Sequence, residues 1–136
     1  MRDPDCLFCR IIAGEVPATI VAQDDRTVSF MDINPATRGH ALVVPRAHAQ
    51  DLLSIDSDDL REVVVAGQRL AARAKERLGA AGVNLINSCG AAAWQTVFHF
   101  HLHVIPRYED DPLRLPWQPH PGDPAEIAAA AAELAR

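Results

Sequence analysis

No apolar run in these 136 residues approaches the roughly 20 that a helix needs to cross a bilayer. The first residues, Met-Arg-Asp-Pro-Asp-Cys, are acidic and carry no apolar core of a secretory leader. A cytoplasmic protein without membrane contact is therefore expected. Positive charge is short as well. The net charge is −5 and the isoelectric point near 5.6, which argues against a general nucleic-acid surface but leaves room for a local phosphate site. Cysteine is scarce, and with only three a disulfide framework is not expected in that compartment. There is no internal repeat and no linker, so residues 1–136 read as one domain. Aromatics are sparse at 5%, yet the apolar share of 49% is ordinary and sufficient for a real core.

What is present is short strands around one long helix. Residues 6–13 read as a short helix stopped at Gly14. Thr19–Ala22 and Thr27–Met31 read as a hairpin across the polar turn Gln23-Asp24-Asp25-Arg26. Asn34-Pro35 and Gly39 mark a loop before an apolar strand, His40–Pro45. From Asp58 to Leu78, residues Leu60, Val63, Val64, Gly67, Leu70, Ala71, Ala74 and Leu78 follow helical spacing, with acids at the start, Lys75 and Arg77 near the end and Gly79 beyond it. Gly67 on that stripe implies close approach of another backbone, either the sheet or a second copy of the helix. Val83–Asn87 is a further strand. Residues 107–122 are irregular and proline-rich. Asp123-Pro124-Ala125-Glu126 then starts a last helix with an N-cap, a proline in the first turn and a capping-box glutamate. About thirteen residues are marginal alone, so this helix must dock or fray. The expected class is α+β with a mainly antiparallel sheet, a core over about 6–106 and a tail over 107–136.

One stretch concentrates the chemistry: His99-Phe100-His101-Leu102-His103-Val104-Ile105-Pro106. As a strand it would point His99, His101 and His103 to one face, with Val97 on the same side. Phe98, Phe100, Leu102 and Val104 would point to the core. Imidazole serves nucleophilic, acid–base and metal chemistry near neutral pH. Three histidines at alternate strand positions span about 13 Å, too far for all three to reach one ion at ~2 Å. Cys6-x-x-Cys9 has zinc-ligand spacing, and His48 and His99 are the candidate remaining ligands. A redox pair and two buried free thiols are the alternatives.

The triad, together with Phe8-Cys9-Arg10-Ile11-Ile12, Glu15-Val16-Pro17-Ala18, Phe30-Met31-Asp32-Ile33-Asn34-Pro35, Gly39–Pro45, Asn87 and Gln95-Thr96-Val97, resembles the histidine-triad family in its bacterial Hint-like branch. The resemblance covers about residues 6–106. It implies the α+β histidine-triad fold and a homodimer formed through the long helix and a neighbouring strand. It also implies a hydrolase or transferase that releases a nucleoside monophosphate, AMP above all, through a nucleotidyl-histidine. In that pattern His101 is the nucleophile, with His103 and His40 beside the phosphate. Asp32 would hold the ribose hydroxyls, and Phe8, Ile11, Phe30 and Ile33 the purine. Asn87, Gln95, Thr96 and Val97 would meet the phosphate and leaving group. Cys6, Cys9, His48 and His99 would hold a structural zinc, with no catalytic metal expected. The alternative is a purine-nucleotide-binding or interaction module with little turnover.

Overall fold

The computed structural model describes residues 2–136. Its elements are α1 (Leu7–Ile12), β1 (Ile20–Gln23), β2 (Thr27–Met31), β3 (Ala41–Pro45), α2 (Ser57–Leu78), β4 (Gly82–Ile86), β5 (Leu102–Arg107) and α3 (Pro124–Leu134), with a short 3-10 turn at Ala91–Ala93. The five strands form one antiparallel sheet in the order β1-β2-β3-β5-β4. The α+β architecture is the one expected from the sequence.

β3 is buried at every position because both sheet faces are covered. Val43 packs with Val63, Phe100, Leu102 and Val104 under α2, whereas Leu42 and Val44 pack with Phe8, Ile11, Val28 and Phe30 under α1. An uninterrupted apolar run is what a strand buried on two sides requires. The sheet thus has a structural face, roofed by α2, and a second face that α1 covers only in part.

Asp56 caps α2 by accepting from the Asp58 and Asp59 amides, and Gly79 closes it in the left-handed conformation, φ 71°. Gly67 is buried, and a methyl group there would lie 2.9 Å from Leu102 Cδ2. The close approach read from the sequence is therefore to the sheet. Val64, placed on the apolar stripe by its spacing, is 45% exposed.

Two expectations are corrected. The strand at the histidine triad begins at Leu102, so His99 and His101 lie in the segment entering β5. The Phe100 amide leaves the ladder and donates to the Ala49 carbonyl at 2.7 Å. The alternation survives without the ladder, since Phe100, Leu102 and Val104 share the core under α2. Phe98 does not join them and is 45% exposed. The last helix is formed from Pro124 to Leu134 without docking on its own chain. Asp123 caps it through the Ala125 amide, yet it buries no residue.

Gly39 sits at φ 88°, and a methyl group there would meet Leu78 Cδ1 at 2.5 Å and Pro106 Cγ at 3.2 Å. Gly39→Ala therefore combines backbone strain with a clash at the α2–β5 junction. Chemical denaturation should show a loss of about 2 kcal/mol or more. An unchanged midpoint would show that the loop before His40 carries no such constraint.

Candidate active site

The sheet register builds the site's floor. Phe30 pairs with Leu42, and Leu42 with His103, so three neighbouring strands present these side chains in one row on the α1 face. Asp32 follows β2 directly and His40 precedes β3, and the Asp32 amide donates to the His40 carbonyl at 3.0 Å. This extra rung draws the Asp32 carboxylate to 3.5 Å from His40 Nε2. α1 closes the side of the site. Phe8 stands edge-on to Phe30, centroids 5.3 Å apart, and edge-on to His101 at 5.2 Å. The resulting cavity is about 470 Å³, within the range of small-ligand sites. Phe8, Ile11, Phe30, Leu42 and Val97 supply apolar lining, and Asp32, His40, Thr96, His101 and His103 the polar part.

Hydrogen bonds fix which nitrogen of each ring carries the proton. His101 Nδ1 donates to the His99 carbonyl at 2.8 Å, so the lone pair of the neutral ring sits on Nε2. The Ala36 amide donates to His40 Nδ1 at 2.9 Å, which puts the His40 proton on Nε2. That proton is donated to His103 Nδ1 at 2.9 Å, leaving His103 with its own proton on Nε2. The cavity is thus lined by one bare imidazole nitrogen and one N–H donor, on histidines two residues apart.

Asp32, His40 and His103 lie close enough to share a cation. His40 Nε2 holds a proton there, however, and the trio is wired for proton sharing.

Behind this site is a second cluster. His99 is fully buried, and its Nε2 donates to the Pro45 carbonyl at 2.8 Å. Its Nδ1 is therefore a bare donor atom, 3.4 Å from Cys6 Sγ, 3.5 Å from Cys9 Sγ and 3.2 Å from His48 Nδ1. Cys9 Sγ is 3.5 Å from His48 Nδ1. Bond lengths of ~2.0 Å to nitrogen and ~2.3 Å to sulfur at tetrahedral angles require about 3.3 Å between nitrogens and about 3.5 Å between nitrogen and sulfur. The donor set and its spacing fit zinc. Cys6 is also the N-cap of α1, its sulfur accepting from the Cys9 amide at 3.4 Å, and Asp3 stands 4.0 Å from His48 Nε2 as an outer partner.

Comparison with known proteins bears on this geometry. The HIT domain model matches residues 13–110. The chain belongs to the HIT family. A crystal structure of a Streptococcus mutans protein superposes at TM-score 0.91 with 32% identity, over 98% of this chain and 85% of that one. A zinc-bound histidine triad family protein from Mycobacterium smegmatis gives TM-score 0.79 and 40% identity over 96% of each chain. A histidine triad nucleotide-binding protein from Candida albicans gives TM-score 0.83 and 29% identity, over 96% of this chain and 95% of that one.

Within this HIT protein, the residues expected around a nucleotide separate into two groups. Phe8, Ile11, Phe30, Asp32, Ile33, Thr96 and Val97 line the cavity with His40, His101 and His103. Ile33 is 90% exposed and forms the rim. Gln95 and Asn87 are not in the lining. Gln95 is buried and holds its own loop, accepting from the Gly90 amide and donating to the Gln50 and Val97 carbonyls. Asn87 Nδ2 donates to the His101 carbonyl at 2.9 Å, while its buried Oδ1 has no partner. Sequence reasoning missed Leu42 and Trp94. Leu42 was legible in the pairing of two apolar strands. Trp94, with φ 76° and 72% exposure, had no signal beyond its place before Gln95-Thr96.

Burial holds the histidines neutral. His101 and His40 are lowered from the usual imidazole value chiefly by desolvation, with Asp32 opposing. Desolvation, helped by His101 and His40, lowers His103 to about 4. The unfolded imidazole titrates near 6.5, so between about 4 and 6.5 the unfolded chain binds more protons. The contribution of His103 to stability is thus complete above 6.5 and is lost as pH falls through the folded value. In an NMR titration the His103 ring carbon should shift with a midpoint near 4. A midpoint at 6.5 or above would contradict the buried, neutral assignment.

Proposed function

We propose that the protein is a nucleotide hydrolase or transferase that releases a purine nucleoside monophosphate, AMP foremost, from a phosphoramidate, acyl-nucleotide or dinucleoside polyphosphate. The observation that carries this reading is the bond from His101 Nδ1 to the His99 carbonyl, which leaves Nε2 unprotonated, without a protein partner, on a ring that lines the cavity. The family and its nucleotide-binding relative support the substrate class.

The steps follow from the proton inventory. The His101 Nε2 lone pair attacks the α-phosphorus, forming an N–P bond as the bond to the leaving group breaks. The His103 Nε2–H stands on the same cavity wall, and its Nδ1 is held by His40, so it can hydrogen-bond the negative charge that develops on a phosphoryl oxygen. The leaving group departs with the electron pair of the broken bond, a carboxylate or phosphate as the anion and an amine with a proton taken from solvent. Water then adds to phosphorus and the N–P bond breaks; its electron pair returns to Nε2, the water gives one proton to solvent, and the monophosphate and a neutral Nδ1–H imidazole are released. Asp32 lies at the polar end of the apolar slot and suits a ribose diol, because an ionised carboxylate only accepts. Phe8, Ile11, Phe30 and Leu42 suit a planar base.

The same reading gives Cys6, Cys9, His48 and His99 a structural zinc, which supplies a fixed anchor for α1 and for the segment entering β5. It also pairs two copies through the exposed Leu85 and Ile86 of the edge strand β4 and through Val64 and Val65 of α2.

An adenosine phosphoramidate assay tests the chemistry. His101→Ala should lower AMP release by about 10³-fold or more with the fold intact, and Asp32→Asn should raise KM more than it lowers kcat. Equal turnover by His101→Ala and the unaltered protein would exclude His101 as nucleophile. Binding of AMP without turnover of any phosphoramidate or dinucleotide would favour a binding module.

Zinc has its own test. About one equivalent per chain should be present by elemental analysis, and a chelator should lower the melting temperature by on the order of 10 °C. Chelation that stops turnover while leaving the melting temperature unchanged would make the metal catalytic.

A further inference from the structure

α3 is a formed helix with nothing to lean on. Ile127, Ala130, Ala131 and Leu134 make an apolar stripe at i, i+3, i+4 and i+7, yet α3 has no buried residue. Ile127 is 59% and Leu134 88% exposed. Glu126 and Glu133 precede the two large apolar residues and repeat at the same seven-residue interval. An isolated alanine-rich helix of this length is marginal in water. Even so, the Streptococcus mutans structure matches 98% of this chain at TM-score 0.91, so the chain's path is shared well into the tail. Something other than the helix's own domain must fix that path.

The body offers a complementary surface. Between β1 and α2 run two adjoining depressions that share Leu70 and Arg73. Val21, Met31 and Leu78 line the floor of the larger, about 190 Å³. Arg69, Arg73 and Arg77 stand along the groove at i, i+4 and i+8 of α2, and among the described residues none has a carboxylate within 4.0 Å. A basic rail beside an apolar floor matches an apolar stripe flanked by glutamates.

We infer that α3 of one protomer seats in the β1–α2 groove of a second copy, Ile127 and Leu134 on the floor and Glu126 and Glu133 toward Arg73 and Arg77. The tail is long enough. Residues 112–123 can extend about 40 Å, against about 29 Å for the six strand spacings from β5 to the second copy's β1 when the sheets meet at β4. The tail leaves the body from a fixed point, because Asp111 is clamped by Arg107 at 2.9 Å and Tyr108 donates to the Arg38 carbonyl at 2.8 Å. The inference rests on the pairing of two copies proposed above and adds an exchanged arm to it.

The test places a photoreactive benzoylphenylalanine at Ile127 in an equal mixture of 14N- and 15N-labelled full-length chains. After irradiation, mixed-isotope peptides should join residue 127 to residues 66–78. Arg73→Glu with Arg77→Glu should lower that yield about fivefold, and adding Glu126→Arg with Glu133→Arg should restore it. Sedimentation of the same samples separates the two claims. A dimer with only same-isotope crosslinks, with crosslinks elsewhere or with none overturns the exchanged arm and leaves the pairing. A monomer overturns both. All the altered side chains except Arg73 are exposed, so loss of fold does not confound the result.

Discussion

His99 is bonded on three sides, and most of the site's geometry depends on those bonds. Its Nε2 donates to the Pro45 carbonyl, which ties it to the end of β3. That bond turns Nδ1 toward Cys6, Cys9 and His48. Its backbone carbonyl accepts from His101 Nδ1 and so selects the tautomer of that ring. One buried residue thus joins the centre of the sheet, the start of α1 and the proposed nucleophile, His101. Loss of the Pro45 bond would leave a buried ring nitrogen unsatisfied, at about 1–3 kcal/mol, and would free the segment that carries His101.

The fold prepares this arrangement by dividing its two faces. α2 seals one face with aliphatic side chains, and Gly67 lets it lie close over Leu102. Stability there does not depend on the site, so the opposite face can stay partly open and polar. On that face desolvation lowers the imidazoles while the nearby Asp32 carboxylate opposes the shift, and the rings stay neutral through a chain of bonds from Ala36 to His40 to His103. Neutrality and a fixed tautomer are the two conditions an imidazole must meet to attack phosphorus.

Much of this was legible in the sequence, and the exceptions have physical causes. Period-two alternation placed Phe100, Leu102 and Val104 in the core and the histidines opposite, because alternation follows burial and not the hydrogen-bond ladder. The ladder itself begins only at Leu102, where β3 and β4 supply partners. Before that, Phe100 pairs with Ala49, a contact across 51 positions that no local pattern reveals. The family resemblance groups Gln95 with the phosphate contacts. Its side chain is instead spent on three backbone groups of its own loops, which an amide's two donor hydrogens and one acceptor oxygen suit well. Cys6-x-x-Cys9 left zinc, redox pairing and free thiols open. Only three-dimensional closure, with Nδ1 atoms of two distant histidines 3.2 Å apart, favours a metal.

The proposed chemistry depends on a backbone carbonyl that fixes His101 as the Nδ1–H tautomer and leaves Nε2 bare. Nitrogen-15 NMR of the ring at neutral pH measures this directly. A protonated Nδ1 and a bare Nε2 are expected for His101 in the zinc-loaded protein without nucleotide. A protonated Nε2, or a rapidly exchanging mixture of the two tautomers, would contradict that assignment.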